Sequence, residues 1–522
     1  MAGVTLVDGP LPLQAAKAAS TFSTSSDGTE MQPRTLVLCF DGTADQYAGQ
    51  NTNVVKLYST LKKDDSEQLC YYQPGIGTYV NPGAVSPLFQ WGAKVIDQGV
   101  AWYLDAHVRG GYQFLMQNYR LGDKICLFGF SRGAYTARAL AGMLHKVGLL
   151  PRHNYEQIPF AYKLYKRTGA KNAALAAGFK QTFCRAVPIE FVGVWDTVAS
   201  VGTLISRTLP FIANNTGIKT FRHALALDEH RSKFRPSLYH SPEHFAKSRK
   251  NPVKGKAVPR DDENEKVEVK TVPATLGKMR KLLKKRASIQ RLSQGAEWGN
   301  ISEDLAELRW CGRSDTEKDM EKLASGTDVF EVWFAGCHCD IGGSAVPNET
   351  KLSLSDITLH WMMRQIAESQ CGIVFDHDAL VRARIPESVF RGMKGLSISP
   401  SLNDTKLHPM DASGSSTRHA GKQASNSTGM DKLDKLNAVE PMHDQLRQIP
   451  LWWILEVLPT TYNWQEPSGL WHTSWSIHRG QGRHLPPRPN FHVTVKERMN
   501  DKALRYRPKA LLGNENSVTY VE

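Results

Sequence analysis

Gly129-Phe130-Ser131-Arg132-Gly133 places a serine between two glycines, where a short apolar run, Ile125 to Phe130, passes directly into an Ala/Leu-rich helical pattern from Thr136 to Leu144. A serine on so tight a strand-to-helix turn has its Oγ pushed out above the sheet, and only glycines at 129 and 133 let strand and helix approach that closely. Such a hydroxyl can attack a carbonyl once a base takes its proton. The pentapeptide alone also describes an ordinary glycine-rich turn. The buried strand before it and the helix after it are what favour a nucleophile.

A serine nucleophile needs a base, an acid to orient that base, and donors for the oxyanion. Ile189 to Trp195 reads as a strand ending in Asp196-Thr197, which puts a carboxylate at a strand's carboxyl end downstream of Ser131. Asp328 to Phe334 reads as another, followed by Ala335-Gly336-Cys337-His338-Cys339-Asp340, so His338 completes the chain order Ser, Asp, His. The competing bases are His443, which also follows in that order, and His223 and His230, which sit in a helical pattern. Cys337, His338, Cys339 and Asp340 are also possible metal ligands, but no second Cys or His pair at ligand spacing follows. For the oxyanion, the backbone N–H of Arg132 and one from Gly42 or Thr43, on the turn after the strand Thr35 to Phe40, are the expected donors. Asp41-Gly42-Thr43 also resembles the opening of haloacid-dehalogenase-like phosphatases. Cys39 stands where those carry their first aspartate, so the phosphoryl acceptor is missing.

These residues need a sheet to hold them, and the pattern supplies one. Asn51-Thr52-Asn53 caps a helix through Leu61, Gln68 to Gln73 is a second strand, and a long helical stretch from Lys94 to Tyr119 precedes the serine strand. Apolar strands alternating with helices predict a mostly parallel α/β sheet covered on both faces. The 522 residues, 41% hydrophobic and 22% charged, suffice for a large core and two to four domain equivalents. Eight cysteines at 39, 70, 126, 184, 311, 337, 339 and 371 lack disulfide-scaffold spacing, which favours a reducing compartment.

The net charge of +14 would suit nucleic acid or an anionic membrane. Ala246 to Asn300, however, holds 15 Lys/Arg against 6 Asp/Glu, a net +9 of that charge. No specific nucleic acid is expected, because no interleaved aromatic platform accompanies the basic residues. Within this stretch Leu276 to Leu292 carries seven Lys/Arg and no acid, with Leu276, Met279, Leu282, Leu283, Ala287 and Ile289 on one helical face. Such a helix suits an anionic bilayer surface or a regulatory partner, and equally a solvated linker. Residues 1–33 read as a disordered tail without a secretory signal, and no run is long enough to span a membrane. The expected location is therefore cytoplasmic or peripheral to a membrane.

The strings LCFDGTADQYAGQNTNVVKL, FGFSRGAYTARALAGML, FVGVWDTVASVG, FRHALALDEHRSKFRP and VWFAGCHCDIGGS resemble the large α/β-hydrolase family that includes bacterial type VI secretion phospholipase effectors. The resemblance covers roughly 34–240 and 326–370 and implies an α/β-hydrolase fold, ester hydrolysis without a cofactor, and a triad of Ser131, Asp196 and His338. Cys339 stands where the family usually has serine, and Ala44-Asp45 where it usually has Trp-Asn; both bear on substrate preference.

The expected organisation is then a tail over 1–33, a hydrolase core over 34–242 and 326–375, a polar and basic insertion over 243–325, and a C-terminal accessory region with a Ser-rich loop over 376–522. Ser200 to Thr216 either lies over the site as a lid or simply packs, and Ile449 to Pro459 reads as core by default, with a lid and an interfacial anchor as the alternatives. The function expected is a serine hydrolase of carboxylic esters; the alternative is a hydrolase-like scaffold that binds lipid or protein without turnover. Oligomeric state is not legible.

Overall fold

The computed structural model describes residues 32–75 except 44 and 65, 97–198, 209–239 except 213 and 214, 326–390, 398–399, 432–465, 471–512 except 487, and 518–522. The tail to 31, the basic insertion with the helix expected over 276–292, and most of the Ser-rich loop lie outside the described residues.

Eight strands form one sheet: β1 (Thr35–Phe40), β2 (Gln68–Gln73), β3 (Lys124–Phe130), β4 (Ile189–Trp195), β5 (Ile218–Ala226), β6 (Asp328–Phe334), β7 (Asn490–His492) and β8 (Thr519–Val521). Their order is β8-β7-β6-β5-β4-β3-β1-β2, and every neighbouring pair is parallel. The helices are α1 (Asn53–Thr60), α2 (Asp97–Asn118), α3 (Ser131–Val147), α4 (Ile158–Lys166), α5 (Ala170–Phe183), α6 (His338–Gly342), α7 (Leu354–Ser369) and, among shorter ones, α8 (Val493–Asn500). This is the expected α/β-hydrolase-like architecture. The central strands read as unbroken apolar runs because both faces are covered. In β1, Leu36, Leu38 and Phe40 join a core built with α2 to α5. Val37 and Cys39 join the opposite core, built with α1 and α7.

From β1 the chain passes to β2 at the sheet's edge and then crosses to β3 on the other side of β1. The connections leave the carboxyl ends of β1 and β3 in opposite directions, which opens a crevice there. Asp41 follows β1, Ser131 follows β3, Asp196 follows β4 and His338 lies just beyond β6, so all four stand at that end of the sheet.

Three expectations need correction. His223 lies in strand β5 and His230 in the loop beyond it, not in a helix. A central strand buried on both faces shows no period-two alternation, so its Ala/Leu-rich run cannot be told from a helix by pattern alone. The region beyond 375 is not merely accessory, since β7 and β8 extend the main sheet and Phe491, Val495 and Ala510 pack with Leu225, Leu227 and Trp333. The segment from Ile449 buries Leu455 and Glu456 but leaves Trp453, Ile454, Val457 and Leu458 about half exposed, so only one of its faces is core. Of the candidate lid, the described residues 209–212 pack on α3 and its neighbours. Leu209 N–H donates to Tyr135, Pro210 C=O accepts from Tyr165, and Ile212 C=O accepts from Arg138.

Candidate active site

Phe130 ends β3 in extended backbone and Ser131 begins α3 with φ +57°. A non-glycine residue in that region costs about 1–2 kcal/mol and persists only where the surroundings impose it. Here they do. A Cβ on Gly133 would stand 2.2 Å from the Phe40 carbonyl oxygen and 2.3 Å from that of Asp41, so the first turn of α3 lies hard against the end of β1. Helix and strand can meet this closely only with glycine at 133, and the meeting fixes the turn that carries Ser131.

His338 opens α6, a single helical turn capped by its own residues, with Cys337 N–H donating to Asp340 Oδ2 at 2.9 Å. His338 Nε2 lies 2.8 Å from Ser131 Oγ, and its Nδ1 lies 2.5 Å from Asp196 Oδ2. A carboxylate can only accept, so Nδ1 donates to Asp196, and Nε2 is left to accept from the serine hydroxyl. The imidazole lies between Phe130, 4.6 Å between ring centres, and Phe234, 4.8 Å away and edge-on. A Cβ on Gly342 would fall 1.9 Å from Phe130 Cε2, so α6 can sit on that ring only with glycine at 342. All three polar residues are nearly inaccessible, at 5% for Ser131, 3% for His338 and 0% for Asp196.

Asp196 has φ +39° and receives more than the histidine. Arg483 Nη1 donates to Oδ1 at 2.6 Å and Nη2 to Oδ2 at 2.9 Å, while the Ala226 N–H donates to Oδ1 at 3.0 Å. Burial pushes the Asp196 carboxyl up, but the Arg483 guanidinium and the His338 hydrogen bond outweigh it and hold the group well below the usual carboxylate range. Burial also pushes the His338 imidazole below its ordinary value, which the bond to Asp196 only partly offsets. The resting pair is therefore a carboxylate beside a neutral imidazole.

The stretch Asp228-Glu229-His230-Arg231 after β5 carries the loop around His338. Asp228 accepts from Gly336 N–H at 2.8 Å, Tyr506 O–H at 2.7 Å and Lys509 N–H at 3.0 Å. Glu229 accepts from the His338 N–H at 3.3 Å and pairs with Arg231 at 2.8 Å. His230 Nε2 lies 2.9 Å from Asp444, which also pairs with Lys509. The Arg231 guanidinium stacks over Phe234 at 3.6 Å and over Trp452 at 4.8 Å. Sequence reasoning offered His230 only as a competing base and assigned Asp228, Glu229 and Arg231 no role. Their one visible signal was a charged run directly beyond an apolar one, and several of their partners, Asp444, Trp452, Tyr506 and Lys509, lie more than 200 residues further along the chain.

The other expected residues fall out as follows. His443 bonds Asp340 through both its N–H, at 3.0 Å, and its Nδ1, at 2.8 Å, and so braces α6. Asp41 accepts from Thr52 and Tyr72, each at 2.7 Å, and from the Gly42 N–H at 2.8 Å, which makes it a loop-organising carboxylate. Gly42, expected among the oxyanion donors, is thus committed to Asp41. Thr43 Oγ1 is buried with no hydrogen-bond partner among the described residues. Cys337 Sγ donates to the Asp228 carbonyl at 3.4 Å, which makes it part of the same brace.

The family model described as the type VI secretion phospholipase effector Tle1-like catalytic domain matches residues 34–365, well over half of the chain. The chain belongs to the Tle1-like family. Every strand-end residue described above except Arg483 and the braces from 443 onward lies inside the Tle1-like span. An uncharacterised protein of Saccharomyces cerevisiae is 29% identical over 570 residues, covering 91% of this chain and 80% of its own. Two solved structures are distant. An uncharacterised protein from Pseudomonas aeruginosa has a TM-score of 0.29 at 16% identity, with 66% of this chain and 46% of that one covered. The Tle1 effector bound to the VgrG spike has a TM-score of 0.22 at 18% identity, with 42% of this chain and 52% of that one covered. This chain thus spans about half the length of each. Membership in the Tle1-like family supports a hydrolase of phospholipase or esterase type. No helix among the described residues is long and apolar enough to cross a membrane.

Proposed function

We propose that this chain hydrolyses carboxylic esters, phospholipids among them, by a serine acyl-transfer mechanism. Ser131 Oγ attacks the ester carbonyl while His338 Nε2 takes its proton, and the carbonyl electrons collect on an oxyanion met by the backbone N–H groups of Arg132 and Thr43. Collapse of that adduct expels the alcohol, protonated by His338, and leaves an acyl-serine. Water, deprotonated by His338, then attacks the acyl group, releases the acid and returns the proton to Ser131. Asp196 keeps His338 in the tautomer that presents Nε2 to the serine and stabilises the imidazolium formed in each half-reaction.

The observation that carries this reading is the unbroken hydrogen-bonded chain Ser131, His338, Asp196, with the serine on a left-handed turn at a strand's carboxyl end. The test is labelling by a fluorophosphonate, which reacts with an activated serine. The wild type is expected to be labelled at Ser131, and Ser131→Ala to lose both the label and ester turnover by orders of magnitude. A chain that is neither labelled nor active favours the non-catalytic lipid-binding scaffold instead, whereas turnover that survives Ser131→Ala refutes Ser131 as the nucleophile. Comparing lipid extracts incubated with wild type and with Ser131→Ala identifies the head group and the acyl chain released.

The basic segment 276–292 extends this proposal to a peripheral contact with an anionic membrane. It rests on charge and helical periodicity alone, seven cations beside one apolar face.

A further inference from the structure

We propose that Arg483, which lies outside the family-matched span, is a positioning residue that fixes the Asp196 carboxylate and sets the proton affinity of His338. The proposal rests on the serine acyl-transfer reading above and assigns that site a fourth member, a cation.

The guanidinium plane is fully determined. Nη1 donates to Asp196 Oδ1 at 2.6 Å and to the Ala226 carbonyl at 3.0 Å. Nη2 donates to Asp196 Oδ2 at 2.9 Å and to the Phe234 carbonyl at 2.5 Å. All four terminal N–H bonds are therefore used, two on the carboxylate and two on backbone on either side of it. The fork locks the rotation of the Asp196 carboxylate, which decides where Oδ2 meets His338 Nδ1. It also ties that carboxylate to the loop of Phe234, whose ring packs edge-on against the same imidazole. Arg483 is 5% exposed, so its charge acts with little screening by water. A lysine offers one point charge and no fork, so it can keep the charge but not the plane.

The charges that face the base come from every element around it. Asp196 at the end of β4 and Glu229 after β5 are negative, and Arg231 and Arg483 are positive. Ser131 stands on α3, and Cys337, Cys339 and Asp340 flank His338 in sequence. Asp45 reaches the site electrostatically through Cys339, and His223 accepts from the Thr197 N–H beside Asp196. Arg483, paired with Asp196, offsets the charge of the carboxylate that raises the proton affinity of His338. Removing Arg483 leaves one negative charge in excess, which favours the imidazolium. Attack requires the neutral imidazole, so the acid limb of the rate must move to higher pH.

The experiment measures the rate of fluorophosphonate labelling of the full chain against pH, because that rate follows neutral His338 and needs no knowledge of the lipid. In Arg483→Met the midpoint of the acid limb is expected to rise by about one pH unit, the lower end of what one neighbouring charge does. Its plateau is expected to fall by about 10- to 100-fold from misplacement of the base. Arg483→Lys is expected to hold the midpoint near wild type while its plateau falls. A lowered plateau with an unmoved midpoint in Arg483→Met overturns the proposal and leaves Arg483 a structural residue. If Arg483→Met does not fold, as judged by its melting transition, Arg483→Lys decides alone, and labelling at the wild-type rate overturns the proposal. Absence of labelling in the wild type, or labelling that persists in Ser131→Ala, refutes the serine reading itself. Wild-type labelling with both Arg483 variants unchanged refutes only the role of Arg483.

Discussion

Two histidines stand downstream of Ser131 in the right chain order, and their neighbours separate them. His338 touches the serine through one nitrogen and a buried carboxylate through the other. His443 spends its Nδ1 on Asp340, whose side chain also caps Cys337, so it stabilises the turn that carries His338. The bond to Asp340 raises the proton affinity of the His443 imidazole, whereas burial lowers that of His338. The two therefore differ in sign as well as in place. His338→Ala is expected to lower ester turnover by about 10⁴-fold or more, and His443→Ala to leave it within several-fold. Rates of the two variants on a soluble short-chain ester check this, and the opposite order would move the base to the C-terminal region.

The site depends on close approaches that side chains would block. Helix α6 is only five residues long and cannot hold a histidine by its own stability, so it borrows rigidity from the Asp340 cap, the Asp228 brace and the Phe130 ring. Gly342 is where that ring and the helix meet. Gly342→Val is expected to push Phe130 or α6 aside, lower stability by about 1–3 kcal/mol as overpacking does, and cut fluorophosphonate labelling more than tenfold. Denaturant melts and labelling rates measure the two effects separately. A variant that melts like wild type and labels at its rate would show that the Phe130 contact does not position the base.

Across the whole chain, the excess positive charge is concentrated in one stretch of the sequence. The net +9 between 246 and 300 is the larger part of the +14 total, and seven of those cations lie in 276–292. Each Lys/Arg near an anionic surface contributes about 1 kcal/mol, screened within a Debye length of about 8 Å at physiological salt. Deleting 276–292 is expected to weaken sedimentation with anionic vesicles, to make the remaining binding less dependent on salt, and to leave turnover of a soluble ester nearly unchanged. Equal sedimentation of deletion and wild type across a salt series would make the segment a linker or a protein-docking helix.

The central strands, their parallel arrangement and the residues at their carboxyl ends were legible in the sequence, because these are local properties. Buried parallel strands are continuous apolar runs, a serine between glycines marks a tight turn, and functional groups follow strand ends. The same locality explains the misreading of β5, where burial on both faces erased the alternation that separates strand from helix. Only the tertiary structure decided which histidine meets Ser131 and that the Gly42 N–H is already taken by Asp41. It also decided that the last hundred residues complete the sheet and supply Arg483 to Asp196, 287 positions earlier in the chain. The reason is physical. A buried carboxylate needs compensating donors, but nothing in its own neighbourhood of sequence says which distant segment brings them, and that pairing exists only once the sheet has been assembled.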